Sequence, residues 1–325
     1  MDFLLQTALL VIGFIMLIKG ADVFVDGSSA LAIRLHVPGV IIGLTIVALG
    51  TSAPELAVST SAAISGSNEI ALSNVIGSNL FNLLGVLGVC AIICIVPADK
   101  VIIKRDFPIS VFAAVFVLLA TSFGALFHDK GKLTINSNVG KVSRIIGIMC
   151  SLMFVFYIIL LINDAKKHPS EDEQTEPPKM SRCILLIIVG LAMIVAGGQL
   201  VVSSAKKIAA YCGMSETLIG LTIVAIGTSL PELVTSVVAA KKQETGLAVG
   251  NVVGSNIFNM LFILGISSTI HPIAVNLASV YDLLILIAVS ISIHILMIFK
   301  KCITRSAGIL MLITYACTVV FAALR

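Results

Sequence analysis

Two parts of this sequence are copies of one another, and this duplication constrains the fold more than any other feature. Residues 43–88 align with residues 220–265 at a constant offset of 177, without a gap and with 26 identities in 46 positions. Such self-similarity indicates an internal duplication, so both halves of the chain must build the same structural unit. The copies are also apolar, and the stretch 245–281 contains 37 residues without Asp, Glu, Lys or Arg.

The apolar character extends over the whole chain. Apolar residues make up 58% of the 325 residues and charged residues 12%, with a mean hydropathy of +1.11. A soluble protein of this composition would lack the polar residues to cover its surface, so we expect a bilayer as its solvent. A helix needs roughly 20 residues to cross the hydrocarbon. The charges separate ten candidate spans, at 3–33, 39–66, 69–96, 107–127, 143–163, 182–210, 216–240, 246–270, 281–299 and 305–324.

The duplication and the spans together predict a topology. Each half holds five spans, an odd number, so the halves must enter the membrane in opposite directions. We therefore predict an all-α membrane protein of ten transmembrane helices in two inverted-topology repeats. The first repeat covers 1–163 and the second 182–325, with a polar linker at 164–181. Inverted repeats are typical of secondary transporters, which bind their substrates near the bilayer midplane.

The basic residues predict the orientation. Loops that follow odd-numbered spans carry 13 Lys and Arg residues, and the opposite side carries seven. Because basic residues accumulate in cytoplasmic loops, we expect both termini outside and the linker in the cytoplasm. The linker is too short for a regulatory domain, which favours a multi-pass protein of a prokaryotic inner membrane. The bilayer is the expected partner, with no nucleic acid and no obligatory protein partner indicated.

Cysteines, histidines and the acidic linker do not indicate a resident cofactor. The seven cysteines include no CxxC pair and fall mostly in apolar runs, and the five histidines lack metal-ligand spacing. We interpret the cysteines as packing residues. The linker sequence SEDEQTEPPK lacks the spaced ligands and central glycine of an EF-hand.

The second span and its copy, the seventh, carry a polar motif interrupted by proline. GTSAPE spans 50–55 and GTSLPE spans 227–232. Pro54 lacks the N–H that would bond Gly50, and its ring crowds the preceding turn, so the helix should break there. Spacings of three and four then place carbonyls, hydroxyls and a carboxylate on one face. This face comprises Ala48, Thr51, Ser52, Glu55 and Ser59, repeated as Ala225, Thr228, Ser229, Glu232 and Ser236.

The third and eighth spans add a second polar stripe. Asn74, Ser78 and Asn82 follow one another at intervals of four, and Asn251, Ser255 and Asn259 repeat the pattern. Gly77 and Gly254 would allow a close approach of neighbouring helices. We expect spans two, three, seven and eight to be broken helices around an ion site at the midplane.

The stripes form an all-oxygen ligand set, which suits a hard cation such as Ca²⁺ or Na⁺. Glu55 and Glu232 together would balance one Ca²⁺ or two Na⁺. A charged residue at the bilayer centre costs at least about 2.5 kcal/mol, and these four spans contain no Lys or Arg to offset it. A mobile cation, or a proton, must therefore neutralise the two glutamates.

Other interpretations stay open for individual residues. The two glutamates can be protonated packing residues, and the four serines can be ordinary small residues at helix contacts. Asn82 and Asn259 can be interhelical hydrogen-bonding residues, and this explanation is favoured for Asn74, Asn79, Asn251 and Asn256. Asp22 and Asp26 correspond to Gln199 and Ser203 in the second half. Because they are not repeated, an interfacial position, paired with Lys19, is favoured over a ligand role.

GTSAPEL with NVIGSNLFN, and GTSLPEL with NVVGSNIFN, closely resemble the two alpha-repeats of the sodium/calcium exchanger family in the calcium/cation antiporter superfamily. The resemblance covers the whole ten-span plan. It implies that helices two, three, seven and eight enclose the ions while helices one and six slide across them. By position, it implies that Glu55 and Glu232 are central Ca²⁺ and Na⁺ ligands. Carbonyls of Thr51 and Thr228 would assist them, and flanking Na⁺ sites would come from Ser52, Ser229, Ser78, Ser255 and the carbonyls of Ala48 and Ala225.

Position 259 distinguishes members of this family, because some carry Asp there. Both Asn82 and Asn259 are amides in this chain. Two acidic ligands then remain instead of three, which argues against proton binding at position 259 and against potassium dependence. A proton can still act as the counter-ion at the glutamates.

We therefore expect an antiporter without enzymatic activity that extrudes cytoplasmic Ca²⁺ as Na⁺ enters, with both ions as substrates. The resemblance implies three Na⁺ per Ca²⁺. Proton-coupled exchange of Ca²⁺ or another divalent cation is the main alternative, and a passive cation channel is a further one. An intramembrane hydrolase with a glutamate dyad is a third alternative, although no separate nucleophile accompanies the glutamates.

Overall fold

The computed structural model describes residues 2–65, 68–97, 99–128, 137–167, 178–213 and 225–324. It shows an all-helical membrane protein with a few very short strands. Helices of the first half are α1 (Asp2–Leu35), α2 (Gly39–Ile42), α3 (Ala48–Thr51), α4 (Ala53–Ile64), α5 (Asn68–Leu80), α6 (Leu87–Ile93), α7 (Phe107–His128) and α8 (Arg144–Lys167). Helices of the second half are α9 (Met180–Tyr211), α10 (Ala225–Thr228), α11 (Leu230–Lys241), α12 (Thr245–Ile257), α13 (Leu264–Ile270), α14 (Leu277–Lys300) and α15 (Arg305–Leu324).

Seven uninterrupted helical segments of the described chain are long and apolar enough to cross a membrane. The bent pair Gly39–Thr51 and Ala53–Ile64 makes an eighth if it is counted as one span. The fourth and seventh of the ten expected spans are described only in part. The side chains of residues 122–128 in α7, and residues 214–224 of the expected seventh span, lie outside the described residues. The count of ten therefore stays a prediction.

Two helical segments form the centre of the bundle. In Thr245–Ile270 and Ala71–Ile93, 94% and 78% of the most apolar window is buried, against 11% for α15. α15 exposes large apolar side chains such as Leu310 and Ile313, as a helix facing lipid does. The polar stripes of the expected third and eighth spans therefore lie in the protein interior.

The expected third and eighth spans are continuous helices, Ala71–Ile93 and Thr245–Ile270, so the expectation that they are broken is wrong. Instead, each contains a π-helical segment, at Phe81–Val86 and at Phe258–Ile263. The N–H of Leu87 bonds Asn82 O, and the N–H of Leu264 bonds Asn259 O, so the hydrogen-bond ladder shifts to a five-residue step. Neither segment contains a proline, so an extra residue is accommodated without losing the backbone bonds.

The two helices expected to slide, α1 and α9, pack along each other through glycines. A Cβ added at Gly190 would lie 2.5 Å from Phe24 N, and one at Gly197 would lie 2.8 Å from Gly13 O. Only glycine permits backbones to approach this closely. Gly254 likewise lies against Leu44, whose Cα would be 2.7 Å from an added Cβ. The same expectation is wrong for Gly77, where an added Cβ meets no described atom within 4 Å.

Two short antiparallel ribbons connect loops that are distant in sequence. β1 (Val96–Pro97) pairs with β4 (Cys302–Ile303), with Val96 opposite Ile303. β2 (Asn138–Val142) pairs with β3 (Ile273–Asn276), with Val142 opposite Ile273. The ribbons join the two halves of the chain at the ends of their helices.

Candidate ion-binding site

The proline motifs interrupt their helices as expected. Ser52 separates α3 from α4 with φ −84° and ψ 11°, and the two parts of the bent span meet at 49°. Ser229 separates α10 from α11 with φ −94° and ψ 10°. Pro54 and Pro231 then occupy the first turn of the following helix, where a missing N–H costs nothing.

Glu55 and Glu232 lie fully buried in the first turns of α4 and α11. Each carboxylate accepts a hydrogen bond from a serine of the other half. Ser229 Oγ donates to Glu55 Oε1 at 2.9 Å, and Ser52 Oγ donates to Glu232 Oε1 at 2.7 Å. The same bond is thus made twice with the halves exchanged. The N-terminal ends of two helices, which favour negative charge, hold the two carboxylates.

The serines of the second stripe extend this contact. Ser229 Oγ lies 3.1 Å from Ser78 Oγ, and Ser52 Oγ lies 3.0 Å from Ser255 Oγ. Ser78 Oγ is also 3.5 Å from Glu55 Oε1. The structure therefore brings six predicted site residues together in two clusters, which are Glu55 with Ser229 and Ser78, and Glu232 with Ser52 and Ser255.

Asn74 and Asn251 hold neighbouring helices together, in agreement with the packing interpretation. Asn74 Nδ2 donates to Ser59 Oγ at 3.0 Å, and Asn251 Nδ2 donates to Ser236 Oγ at 2.9 Å. Thr51 is tied to the second of these pairs, because its Oγ1 donates to Asn251 Oδ1 at 3.0 Å.

Four further asparagines form a closed set of hydrogen bonds between the two central helices. Asn79 Nδ2 donates to Asn256 O at 3.2 Å, and Asn256 Nδ2 donates to Asn79 O at 3.3 Å. Asn82 Nδ2 donates to Asn256 Oδ1 at 3.2 Å, and Asn259 Nδ2 donates to Asn79 Oδ1 at 3.0 Å. The sequence did not single out Asn79 and Asn256 as site residues. The signal that could have found them is the asparagine repeated in both GSN motifs.

Four buried oxygens of the central residues have no hydrogen-bond partner among the described residues. They are Glu55 Oε2, Glu232 Oε2, Asn82 Oδ1 and Asn259 Oδ1. A buried acceptor without a partner costs about 1–3 kcal/mol, and more when it is charged. The ion pairs found in the described chain do not involve either glutamate. The orphan oxygens come in repeat-related pairs and have the chemistry of ligands for a hard cation.

The remaining predicted site residues lie on the helices that end at the two breaks. Ala48 begins α3, and its carbonyl lies 3.5 Å from Thr51 Oγ1. Ala225 begins α10, of which Thr228 is the last residue. Thr228 Oγ1 is buried and has no partner among the described residues. The Ala48 carbonyl accepts the backbone N–H of Ser52 at 3.1 Å, which ties it to one of the two serine–glutamate clusters.

A cavity of about 320 Å³ extends from one side of the helix bundle to the helix break at Ser229. Its walls include both motif prolines, Pro54 and Pro231, together with Thr228. Gln199 and Ser203 of α9 line it as well. The helix α9 therefore borders a space that extends to Thr228, a residue of the candidate site.

Asp22 and Asp26 pair with a different residue than expected. Lys242 Nζ lies 2.7 Å from Asp26 Oδ1 and 3.6 Å from Asp22 Oδ1, and it donates to Asp22 O at 3.0 Å. Lys19 is seven residues before Asp26 on the same helix, whereas Lys242 reaches both aspartates from the end of α11. The pair thus lies at the surface, away from the buried glutamates, and joins α1 to the bundle.

Comparison with known proteins agrees with this architecture. The profile of the family described as sodium/calcium exchanger protein matches residues 5–163 and 183–324. The putative antiporter CaxA of Alkalimonas amylolytica is 39% identical over 85% of this chain and 84% of its own length. The sodium/calcium exchanger MaX1 of Methanosarcina acetivorans is 32% identical over 94% of this chain and 95% of its own. The inner membrane protein YrbG of Escherichia coli K12 is 31% identical over 89% and 87%.

A solved structure agrees as well. The sodium-calcium exchanger NCX_Mj, soaked with 10 mM Na⁺ and zero Ca²⁺, superposes with a TM-score of 0.83 at 31% identity and covers 99% of this chain and 100% of its own. Proteins of this family are transporters and not enzymes, which excludes the intramembrane hydrolase, and their ions are substrates rather than cofactors. The chain belongs to the sodium/calcium exchanger family.

Proposed function

We propose that this multi-pass membrane antiporter exchanges Na⁺ for Ca²⁺ and extrudes cytoplasmic Ca²⁺ as Na⁺ enters. The observation that carries the proposal is the repeat-related pair of buried glutamates. Each has one oxygen held by a serine of the other half and one that finds no partner among the described residues. Two carboxylates balance one Ca²⁺, and three Na⁺ in the same space leave one net positive charge. An exchange of three for one would therefore move charge inward with Na⁺, and the membrane potential would add about 2.3 kcal/mol per 100 mV.

The ligands in this proposal are Glu55, Glu232, Ser52, Ser229, Ser78, Ser255, Asn82 and Asn259, with carbonyls of Ala48, Ala225, Thr51 and Thr228. The neutral oxygens support a hard cation over a transition metal. Among the described residues, no group of three or more His, Cys, Asp or Glu could hold a metal ion. Soft or borderline metals prefer nitrogen and sulfur ligands, whereas Ca²⁺ and Na⁺ accept hydroxyl, amide and carboxylate oxygens.

We further propose the ten-helix topology with inverted repeats at 1–163 and 182–325. The exchanged-half hydrogen bonds support it, because Ser52 to Glu232 and Ser229 to Glu55 are related by the offset of 177. Asn79 and Asn256 exchange bonds under the same relation. Two equivalent units that face each other produce such pairs.

We propose an inner-membrane protein with its termini outside and linker 164–181 in the cytoplasm, an orientation that rests on the count of basic residues. Contacts between loops support the underlying division of the loops between two sides of the bilayer. Loops that touch must lie on one side of the bilayer. The pairing of β1 with β4 joins the loops after spans three and nine. The ion pair between Arg105 Nη1 and Asp164 Oδ2, at 2.7 Å, joins the loop after span three to the linker. β2 with β3 joins the loops after spans four and eight. Each contact pairs loops that the count of basic residues assigns to the same side.

Alternating access would arise from α1 and α9 moving together across the ion site. Their glycine contacts support motion as one unit, because the backbones interlock at Gly190 and Gly197. The cavity beside α9 supports a state that is open on one side, and the Lys242 ion pair supports closure beside α1.

Calcium uptake into everted vesicles tests the coupling ion. We expect vesicles loaded with Na⁺ and diluted into Na⁺-free medium to take up Ca²⁺. The uptake should persist in the presence of a protonophore, and its rate should increase when the lumen is electrically positive. Vesicles without the protein are the control. Uptake that ignores the Na⁺ gradient and collapses with the protonophore would instead establish proton coupling. Current without counterflow would establish a channel.

A further inference from the structure

The four asparagines between the central helices determine which way their amides face. Asn256 Nδ2 donates to the backbone carbonyl of Asn79, and a carbonyl can only accept. The nitrogen of the Asn256 amide is therefore assigned without ambiguity, and its Oδ1 faces the other way. The atom of Asn82 that meets this oxygen must be the donor, Nδ2, at 3.2 Å. The amide of Asn82 then has its own oxygen directed out of the asparagine set.

The same reasoning holds with the halves exchanged. Asn79 Nδ2 donates to the carbonyl of Asn256, so Asn79 Oδ1 must accept from Asn259 Nδ2 at 3.0 Å. Asn259 Oδ1 is thereby directed away and, like Asn82 Oδ1, is buried with no partner in the part of the chain that the structure describes. Asn82 follows Ser78 by four residues and Asn259 follows Ser255 by four, so both lie on the helix faces that carry the serine–glutamate clusters.

We propose that Asn79 and Asn256 are positioning residues, which hold the carboxamides of Asn259 and Asn82 with their oxygens toward the transported ion. Without the partner's Oδ1, an amide gains little from one orientation over the other, and its NH₂ group can face the cation. A carboxylate presents an oxygen to the cation in either orientation, because both of its terminal atoms are oxygens. This inference rests on the proposed function, in which Asn82 and Asn259 are ion ligands.

The pairing is crossed, and this makes the proposal specific. Asn79 orients Asn259, which lies on the other half, and Asn256 orients Asn82. Removing Asn79 should therefore be compensated by an aspartate at 259 and not by one at 82. Removing Asn256 should be compensated by an aspartate at 82 and not by one at 259.

The test is a double-mutant cycle on the full chain purified into liposomes, with the KM for Ca²⁺ and the maximal rate measured separately. We expect Asn79→Ala to raise the KM by about tenfold, which is the order of a lost hydrogen bond near a charge. In the Asn259→Asp background, the same substitution should change the KM by less than about threefold. In the Asn82→Asp background the tenfold effect should persist. Asn256→Ala should show the opposite pattern.

Asn74→Ala is the matched control, because Asn74 lies on the same helix as Asn79 and bonds Ser59 rather than an amide of the set. Its effect should be the same with Asn or Asp at 259. An equal effect of Asn79→Ala in all backgrounds, or equal rescue by both aspartates, would overturn the positioning role. If Asn79→Ala does not fold, Asn79→Ser removes the same contact with a polar side chain in place, and the Asn256 variants test the mirror-related pair.

The single variants separate this inference from the function on which it rests. If Asn259→Ala and Asn82→Ala both leave the KM for Ca²⁺ and for Na⁺ unchanged, the ligand assignment fails. If they raise KM while the crossed rescue is missing, only the positioning role of Asn79 and Asn256 fails.

Discussion

The two halves match at the proposed ion site and differ where α1 and α9 border the bundle. On α1, Asp22 and Asp26 bind Lys242 at the end of α11. The equivalent positions on α9 are Gln199 and Ser203, which line the cavity. One border carries an ion pair, whereas the two equivalent positions on the other are neutral and line an open space together with Lys206. The duplicated serines and glutamates thus make matching contacts, while the positions that diverged leave an ion pair on one border and a cavity on the other.

The largest expected effect concerns the symmetric part. Glu55→Gln and Glu232→Gln should each abolish exchange, because each removes half of the charge that balances Ca²⁺. Removing one partner of a buried charge pair typically costs about 3–5 kcal/mol, which corresponds to a loss of more than about 100-fold. Radioactive Ca²⁺ flux into liposomes measures this. Glu244→Gln, just beyond α11, is the control and should transport normally. Robust transport by either buried variant would show that the halves are not equivalent.

Loss of the crossed serine contacts should have the next largest effect. Ser52→Ala and Ser229→Ala each remove one bond to a carboxylate, worth about 1.5–3 kcal/mol. We expect each to raise the KM for Na⁺ by at least about tenfold, and the two effects to be similar. The Na⁺ dependence of Ca²⁺ flux measures both. A large effect from one serine alone would contradict the symmetry of the site.

Replacing a glycine of α9 by alanine adds a methyl group, and the contact between α1 and α9 should tolerate it only where space exists. A Cβ at Gly190 would lie 2.5 Å from Phe24 N, whereas one at Gly198 would have 3.8 Å to its nearest neighbours. Overpacking typically costs about 1–3 kcal/mol. We therefore expect Gly190→Ala to lower the thermal unfolding temperature in detergent, and Gly198→Ala to change it little. Equal melting temperatures would argue against a rigid unit of α1 and α9.

The smallest effect should come from the asymmetric ion pair. Lys242→Ala removes the contact with Asp22 and Asp26, and an exposed pair contributes about 0.2–1 kcal/mol. We expect a change of up to about fivefold in the KM for cytoplasmic Ca²⁺ at low salt, which disappears at high salt as the charges are screened. Lys241→Ala is the control. A salt-independent effect would mean that Lys242 acts other than through this pair.

Much of the architecture could be predicted from local pattern. The proline breaks at Ser52 and Ser229 follow from a missing N–H and a steric clash, which depend only on neighbouring residues. Helix ends such as those of α9 and α15 lie within two residues of the predicted limits, because charges mark where apolar runs stop. The sequence did not predict the π-helical segments at Phe81–Val86 and Phe258–Ile263, because no residue type is specific to them.

The contacts between halves could not be read from the sequence. A stripe predicts that Glu55 and Ser52 share a helix face, but not that each binds a residue of the other half. The same limit applies to Lys242, which forms ion pairs with Asp22 and Asp26 although Lys19 is nearer to them in sequence. It applies as well to Asn79 and Asn256, whose role emerges only when the amides of two helices meet.

The sequence by itself determined the bilayer, the duplication, the helix breaks and the set of oxygen-bearing residues, because these depend on composition and on spacing along one helix. Only the tertiary structure decided which oxygens keep a hydrogen-bond partner and which are left buried without one. That outcome depends on how two copies of one unit dock. The docking aligns serine with glutamate and asparagine with asparagine across the halves. It leaves the two glutamate and two asparagine oxygens without a donor from the described residues.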